Sequence, residues 1–204
     1  MGLYNMLMPC NTKLLNHIIL KRCEYQNKNP NPNTSNNIKG FTNDTLKTYG
    51  YRDTDVLSYT VVLYKSNNLI TIQKVEAGDA IISFGFTGCT LASFTYKGQL
   101  YAAHIPPGQV GTWDQAVGKN ENGIVVVNRF IPKVQGWSEG RLKGNYPNNR
   151  CWGIIENDGK MYSLIVYENI QYEYDDKAAK YQYKLNDASS IINIEEKYSC
   201  CSIG

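Results

Sequence analysis

A predicted β-hairpin is the feature that most constrains how this chain folds. Two segments, 90–96 and 99–105, are rich in Leu, Phe, Thr, Tyr and Ala. They flank Lys97-Gly98, which suits a two-residue hairpin turn. With this turn Tyr96 faces Gln99, and the pairing of every other residue along the two strands follows from that contact.

The open end of the hairpin carries a thiol and an imidazole. Cys89 follows an apolar run just before the first strand, and His104 lies near the end of the second. The register places Leu91 opposite His104. Because side chains two residues apart on a strand share a face, Cys89 and His104 are predicted to be diagonal neighbours, roughly 7–8 Å apart at Cα. A register shift of one residue would place them on opposite faces.

The composition indicates a soluble globular protein built as a single domain, residues 1–204. Hydrophobic residues make up 42% and charged residues 19%, and the formal net charge of +3 is too small to indicate nucleic-acid binding. No run approaches the ~18 apolar residues of a membrane helix, and the N-terminus lacks the basic start of a secretory signal. We expect a monomer that binds neither nucleic acid nor a membrane.

The cysteines and histidines do not form a metal-binding pattern. The six cysteines include no Cys-x-x-Cys pair, and neither His17 nor His104 has zinc spacing to any of them. Without a signal peptide, free thiols are the expected state. We therefore expect neither a metal ion nor an organic cofactor.

Apolar periodicity predicts many strands and few helices. Leu14, Leu15, Ile18 and Ile19 have the spacing of one helix face, which predicts a helix over 12–23. The other predicted elements are a short helix at 43–49, a hairpin of strands 56–64 and 69–75, a strand at 80–86, a long loop at 106–122, a strand at 124–131, hairpin strands 152–156 and 161–167, a short helix at 175–180, and strands 181–185 and 191–194. These elements predict an α+β domain of stacked, mainly antiparallel sheets.

The motif around the thiol resembles a known family. Thr87-Gly88-Cys89-Thr90, with His104 fifteen residues after the cysteine, is similar to the active-site signature of the cytotoxic necrotizing factor catalytic domain and the Burkholderia lethal factor. These bacterial toxins deamidate a glutamine of a host protein. The resemblance implies a β-sandwich flanked by helices, which agrees with the α+β prediction, and a lone catalytic domain of about this length.

The resemblance also implies a third catalytic residue. In the lethal factor this residue is a Thr six positions before the cysteine, and Ser83 occupies that position here. Thr87 is the second choice. The family's Leu-Ser before Gly-Cys is replaced by Phe86-Thr87 in this chain.

The expected chemistry is thiol-dependent hydrolysis of a carboxamide. Cys89 attacks as a thiolate, and His104 takes its proton and passes it to the departing ammonia. Backbone N–H groups of Gly88 and Cys89 are the candidates for holding the oxyanion. Two other classes remain open: another Cys-His enzyme, such as a transglutaminase, a thiol protease or the chemotaxis receptor deamidase, and a non-enzymatic binding module.

Substrate recognition is assigned to two loops, 106–122 and 135–150. Trp113, Trp137 and Arg141 in these loops are predicted to be exposed anchors of the kind that dominates protein interfaces. The resemblance implies a host protein as partner, either the translation-initiation RNA helicase or a Rho-type GTPase. It further implies a bacterial product that acts in the host cytosol.

Overall fold

The computed structural model describes residues 2–8, 10–34, 37–66, 68–134, 149–175, 180–185 and 189–197. The helices are α1 (Leu3–Leu7), α2 (Thr12–Lys28) and α3 (Val110–Val117). The strands are β1 (Asn33–Thr34), β2 (Leu46–Thr48), β3 (Gly50–Asp53), β4 (Tyr59–Val62), β5 (Ile70–Lys74), β6 (Ala80–Phe84), β7 (Thr90–Tyr96), β8 (Gln99–Ile105), β9 (Ile124–Phe130), β10 (Asn149–Ile155), β11 (Met161–Tyr167), β12 (Ile170–Asp175), β13 (Lys180–Leu185) and β14 (Ser190–Lys197). None of the described helices has the length and apolar character of a transmembrane segment.

Two open, six-stranded sheets form the framework. Sheet 1 has the strand order β1-β2-β5-β8-β7-β9, and sheet 2 has the order β14-β11-β10-β6-β4-β3. Strands β12 and β13 pair separately. Neighbouring strands are antiparallel except for β2 with β5 and β4 with β6. The predicted class, mostly antiparallel sheets with few helices, is confirmed.

Side chains from both sheets meet in one apolar cluster, called the inner cluster below. Its buried members come from β7 and β8 of sheet 1, from β4, β6, β10 and β11 of sheet 2, and from the segments that adjoin them. They are Val62, Val75, Ile81, Phe86, Cys89, Leu91, Ala102, Val134, Cys151, Ile155, Met161 and Ile165. Burial of this apolar surface holds the two sheets together.

Helices cover the opposite faces of the two sheets. The apolar stripe of α2 is buried against sheet 2, as its spacing predicts. Asn11 caps this helix, because its side chain accepts a hydrogen bond from the Leu14 backbone N–H at 3.1 Å. Helix α3 packs on sheet 1 through Trp113 and Ala116.

The predictions that rest on a turn sequence or on the apolar stripe of a helix are confirmed. The β7–β8 hairpin pairs Tyr96 with Gln99 and Leu91 with His104, as expected. The β10–β11 hairpin also forms. The predicted helix at 12–23 is α2, which extends to Lys28.

Three other predictions are wrong. Strands β4 and β5 do not form a hairpin, since β4 pairs with β3 and β6 while β5 pairs with β2 and β8. The expected helix at 43–49 contains β2, which gains hydrogen bonds by pairing with β5. The expected loop at 106–122 contains α3 and two 3-10 turns, Pro107–Gln109 and Asn120–Asn122. The helix predicted at 175–180 falls mostly outside the described residues, and its ends belong to β12 and β13.

Candidate active site

Cys89 ends the turn that connects β6 to β7. The backbone N–H groups of Gly85 and Phe86 both donate to the carbonyl oxygen of Cys151 in β10, at 2.9 and 3.2 Å. Gly88 has φ +121°, a conformation that favours glycine. Gly88 is exposed, whereas Cys89 beside it is only 3% exposed. The thiol therefore lies just beneath the surface, under a turn that two hydrogen bonds fix to sheet 2.

His104 lies on the same face of sheet 1 as the thiol. It is opposite Leu91 of β7 and, on its other side, opposite Thr71 of β5. Cys89 precedes Leu91 by two residues, and both belong to the inner cluster. His104 is fully buried. The predicted register is confirmed, and the imidazole points from sheet 1 toward sheet 2, where it finds a partner.

That partner is Ser83 of β6. The Ser83 hydroxyl donates to the Val62 carbonyl oxygen at 2.5 Å, and its oxygen is 2.8 Å from Nδ1 of His104. A hydroxyl has a single proton to donate. Since that proton is directed to Val62, Nδ1–H must be the donor to Ser83, and Nε2 of the neutral ring carries a lone pair. Nε2 is buried and has no hydrogen-bond partner among the described residues.

Two aromatic rings flank the imidazole. The Phe86 ring stacks on it with centroids 4.4 Å apart and an interplanar angle of 8°. The Tyr64 ring lies 5.3 Å away at 48°. Phe86 is fully buried, whereas Tyr64 is half-buried. Both rings pack in or against the inner cluster, which includes Cys89, so they form two walls of the imidazole site beside the cluster that contains the thiol.

Burial keeps both groups uncharged. It lowers the pKa of His104 to about 3, because the imidazolium loses its hydration there. It raises the pKa of the Cys89 thiol to about 11, while backbone hydrogen bonds from Thr87 and Cys89 act in the opposite direction. No charged side chain of the described residues contributes to either shift. The resting pair is therefore a neutral thiol and a neutral imidazole.

The geometry distinguishes between the predicted supporting residues. Ser83 contacts the imidazole, whereas Thr87, the second choice, is exposed on the turn. The backbone donors assigned to the thiol are those of Thr87 and Cys89. These donors act on the thiol itself, and the assignment of the Gly88 and Cys89 backbone N–H groups to the oxyanion stays a prediction.

Of the three residues predicted to recognise the substrate, the structure describes one, Trp113. Trp113 is not an exposed anchor, because it is 0% exposed and packs in α3 against Phe94 and Phe41. The sequence interpretation was wrong here because the segment was taken for a loop, whereas it forms a helix with an apolar side facing sheet 1. Trp137 and Arg141 lie outside the described residues.

Two residues near the site were not predicted. Tyr64 follows β4, and nothing in its local sequence indicates contact with His104. Gly153 of β10 lies opposite Ser83, and a Cβ added there would meet Phe86 and Leu91 at 3.1 Å and Pro132 at 2.5 Å. A glycine inside an apolar strand signals close approach of other groups, so Gly153 could have been found from the sequence.

A separate polar cluster offers ligand atoms for a metal ion. His17, Asp53 and Asp55 bring theirs within 4.8 Å of one another. Protein partners already hold these groups: Asp53 accepts hydrogen bonds from Tyr59 and from the Asp55 backbone and contacts His17 at 2.9 Å, and Asp55 pairs with Lys21 at 2.6 Å. These contacts explain the cluster as a structural network.

Comparisons with protein-family models, with curated proteins and with solved structures give no significant match for this chain.

Proposed function

We propose that this chain is a cysteine-dependent deamidase that converts a glutamine of a host protein to glutamate. The observation that carries the proposal is the chain of hydrogen bonds from the Val62 carbonyl through Ser83 to Nδ1 of His104. These hydrogen bonds support His104 as a general base, because they leave its Nε2 unprotonated on the face of sheet 1 that also carries Cys89. The three side chains also keep the spacing that resembles the toxin family.

The proposed reaction begins with transfer of the Cys89 proton to Nε2 of His104. The thiolate attacks the carboxamide carbon, a C–S bond forms, and backbone N–H groups at the turn stabilise the oxyanion. The imidazolium returns the proton to the nitrogen, the C–N bond breaks, and ammonia leaves. Water, deprotonated by His104, then attacks the thioester. The C–S bond breaks, the thiol is restored, and glutamate remains where glutamine stood.

Ser83 has a defined part in this cycle. The imidazolium carries protons on both nitrogens, and Nδ1–H can keep donating to Ser83 throughout because the Ser83 hydroxyl is directed to Val62. The ring therefore gains and loses its second proton at Nε2 without turning. This supports Ser83, rather than Thr87, as the residue that orients the base.

The absence of a charged partner supports a protein substrate. Free glutamine carries an amino group and a carboxylate, which a metabolic amidohydrolase would bind with charged side chains. Among the described residues, no charge contributes to the pKa of Cys89 or of His104. Lys97 lies at the far tip of the hairpin. Recognition must then come from protein surface around the reacting glutamine, with Trp137 and Arg141 as the proposed contacts.

The arrangement of sheets also fits the proposal. Two sheets that share an inner cluster and carry helices on their other faces support a β-sandwich of the necrotizing-factor type, acting as a single catalytic domain. We propose a monomeric bacterial product that acts in the host cytosol. The translation-initiation RNA helicase is the first target to test, and a Rho-type GTPase is the second.

Intact-mass analysis tests the proposal directly. Each candidate host protein is incubated with the chain, and deamidation adds ~1 Da at one glutamine as N–H₂ is replaced by O–H. Cys89→Ser should abolish the change, because a serine hydroxyl is a far weaker nucleophile at neutral pH. His104→Ala should slow it by about 10²-fold or more. Cys151→Ser is the matched control, since Cys151 is buried in the same cluster but has no part in the reaction.

The alternatives give different products. Amine incorporation at the glutamine would indicate a transglutaminase, and peptide cleavage would indicate a thiol protease. Burial of Cys89 and His104 is the observation that favours the second candidate function, a non-enzymatic binding module in which both are core residues. In that case Cys89→Ser would leave the biological effect of a folded protein unchanged. Equal rates on free glutamine and on any protein would contradict the toxin-like proposal and indicate a metabolic enzyme.

A further inference from the structure

Tyr64 is a half-buried residue beside the candidate active site. Its ring lies 5.3 Å from the His104 ring, and it packs against the inner cluster that contains Cys89. Burial raises the pKa of Tyr64, and the Cys89 thiolate, where it forms, adds to that rise, so the phenol lies near the thiol. Cys89 and His104 are buried, whereas Tyr64 is half-buried. Any group that reaches the thiol past this side must displace Tyr64.

The other walls are fixed. Phe86 is fully buried, and its backbone N–H is bonded to Cys151. Ser83 and Leu91 belong to paired strands of the two sheets. Tyr64 is the half-buried wall, and it lies in the segment 63–66, which is neither helix nor strand. Leu63 just before it is held at both backbone groups, since its N–H donates to the Tyr49 carbonyl oxygen and its carbonyl oxygen accepts from the Thr71 hydroxyl. Access to the thiol on this side therefore requires a change in the side-chain rotamer of Tyr64 and no movement of the sheets.

We propose that Tyr64 is the movable wall of the glutamine site: it covers Cys89 and His104 in the free protein and rotates aside to admit the substrate side chain. The inference rests on the proposed deamidase function. Glutamine reaches the thiol through two methylene groups, and an aromatic ring is a suitable surface for them. Tyr64 is therefore a substrate-contacting residue. Its ring also keeps water from the imidazole until the substrate takes its place.

Alkylation of Cys89 by iodoacetamide tests the wall without any need for the natural substrate. The rate is measured by peptide mass spectrometry at the Cys89 site, on the folded protein at neutral pH. Tyr64→Ala should raise it by about tenfold or more, because the thiol then becomes accessible without a side-chain movement. Tyr64→Phe keeps the ring and should leave the rate within about twofold of the wild type. Tyr64→Leu should give an intermediate rate, and it replaces Tyr64→Ala if that variant does not fold.

Tyr96→Ala is the matched control. Tyr96 lies on β7, the strand that follows Cys89, but packs in the cluster beneath α3 rather than in the inner cluster. General loosening of sheet 1 would raise the alkylation rate in this variant as well. An equal increase in Tyr64→Ala and Tyr96→Ala, or no increase in Tyr64→Ala and Tyr64→Leu, would overturn the proposal. Faster alkylation in a chain that deamidates nothing would support the wall and reject the deamidase function.

Discussion

Replacing Ser83 with alanine should disconnect the imidazole from sheet 2. The substitution removes the hydrogen bond to Nδ1 of His104 at 2.8 Å and the one to the Val62 carbonyl at 2.5 Å. Both groups are left in a buried site, and each unsatisfied group costs about 1–3 kcal/mol, so the expected loss is about 2–4 kcal/mol after relaxation. For a chain of this length that corresponds to a fall in Tm of about 5–15 °C.

The decisive measurement is the tautomer of His104. In the wild type, ¹⁵N NMR should show Nδ1 protonated and Nε2 unprotonated, because Ser83 accepts from Nδ1–H. In Ser83→Ala, Nδ1–H loses its acceptor and the Nε2–H form should gain population. That form cannot accept the Cys89 proton, so deamidation of a host substrate should fall by about 10²-fold or more.

Ser163→Ala is the control for a lost serine hydroxyl. Ser163 is also fully buried, and its hydroxyl oxygen accepts a hydrogen bond from the Lys133 backbone N–H at 3.1 Å. This variant should lose stability without changing the His104 tautomer. Ser83→Thr, which keeps the hydroxyl, should retain the wild-type tautomer. If Ser83→Ala left Nδ1 protonated and the reaction rate unchanged, the proposed role of Ser83 would be refuted.

Three further variants test the packing, the buried charges and the pH dependence. Gly153→Ala should destabilise the fold by about 1–3 kcal/mol and disturb the Phe86 ring, because its Cβ would crowd that ring and the neighbouring side chains. Glu168→Gln should lower the free energy of unfolding by about 3–5 kcal/mol. It removes the carboxylate countercharge from the buried Arg22 guanidinium, which donates to Glu168 at 2.6 and 2.8 Å. The unfolded chain binds a proton at His104 below its ordinary pKa of 6.5, whereas the folded protein does not until about pH 3. As the pH falls from 6.5 to about 3, the free energy of unfolding of the wild type should therefore decrease by on the order of 5 kcal/mol relative to that of His104→Gln.

Denaturant unfolding with matched controls checks each of these expectations. Gly111→Ala in α3 should stabilise the protein slightly, because a Cβ there meets no atom within 4 Å and alanine favours helix. Asp158→Asn, in an exposed ion pair with Lys160, should leave Tm almost unchanged. Equal effects in Gly153→Ala and Gly111→Ala would contradict the crowding argument. A wild type and His104→Gln with parallel stability curves from pH 6.5 to 3 would contradict the burial argument.

The sequence by itself determined the features that depend on short-range rules. A two-residue turn leaves the β7–β8 hairpin a single register, so the shared face of Cys89 and His104 could be predicted from the residues of the hairpin alone. The helix stripe of α2 and the β10–β11 turn were equally local. Each of these features is encoded within about twenty residues, where backbone geometry alone relates the side chains.

The contact of Ser83 with His104 has a different origin. The two residues lie on different sheets, and their hydrogen bond exists because side chains from both sheets meet in the inner cluster. Ser83 was chosen by its position in a motif, not by a physical rule that brings it to the imidazole. Tyr64 was missed for the same reason, since the pattern of a strand does not specify what packs across from its end.

Tertiary structure alone decided burial and strand partners. An apolar strand such as β4 can pair with several neighbours, and only the tertiary fold places it between β3 and β6. Trp113 was expected on the surface but is buried between α3 and sheet 1, because the amphipathic character of a short helix matters only once a sheet lies beneath it. The uncharged state of Cys89 and His104 also depends on the whole fold, since a pKa responds to the solvent that every surrounding layer excludes.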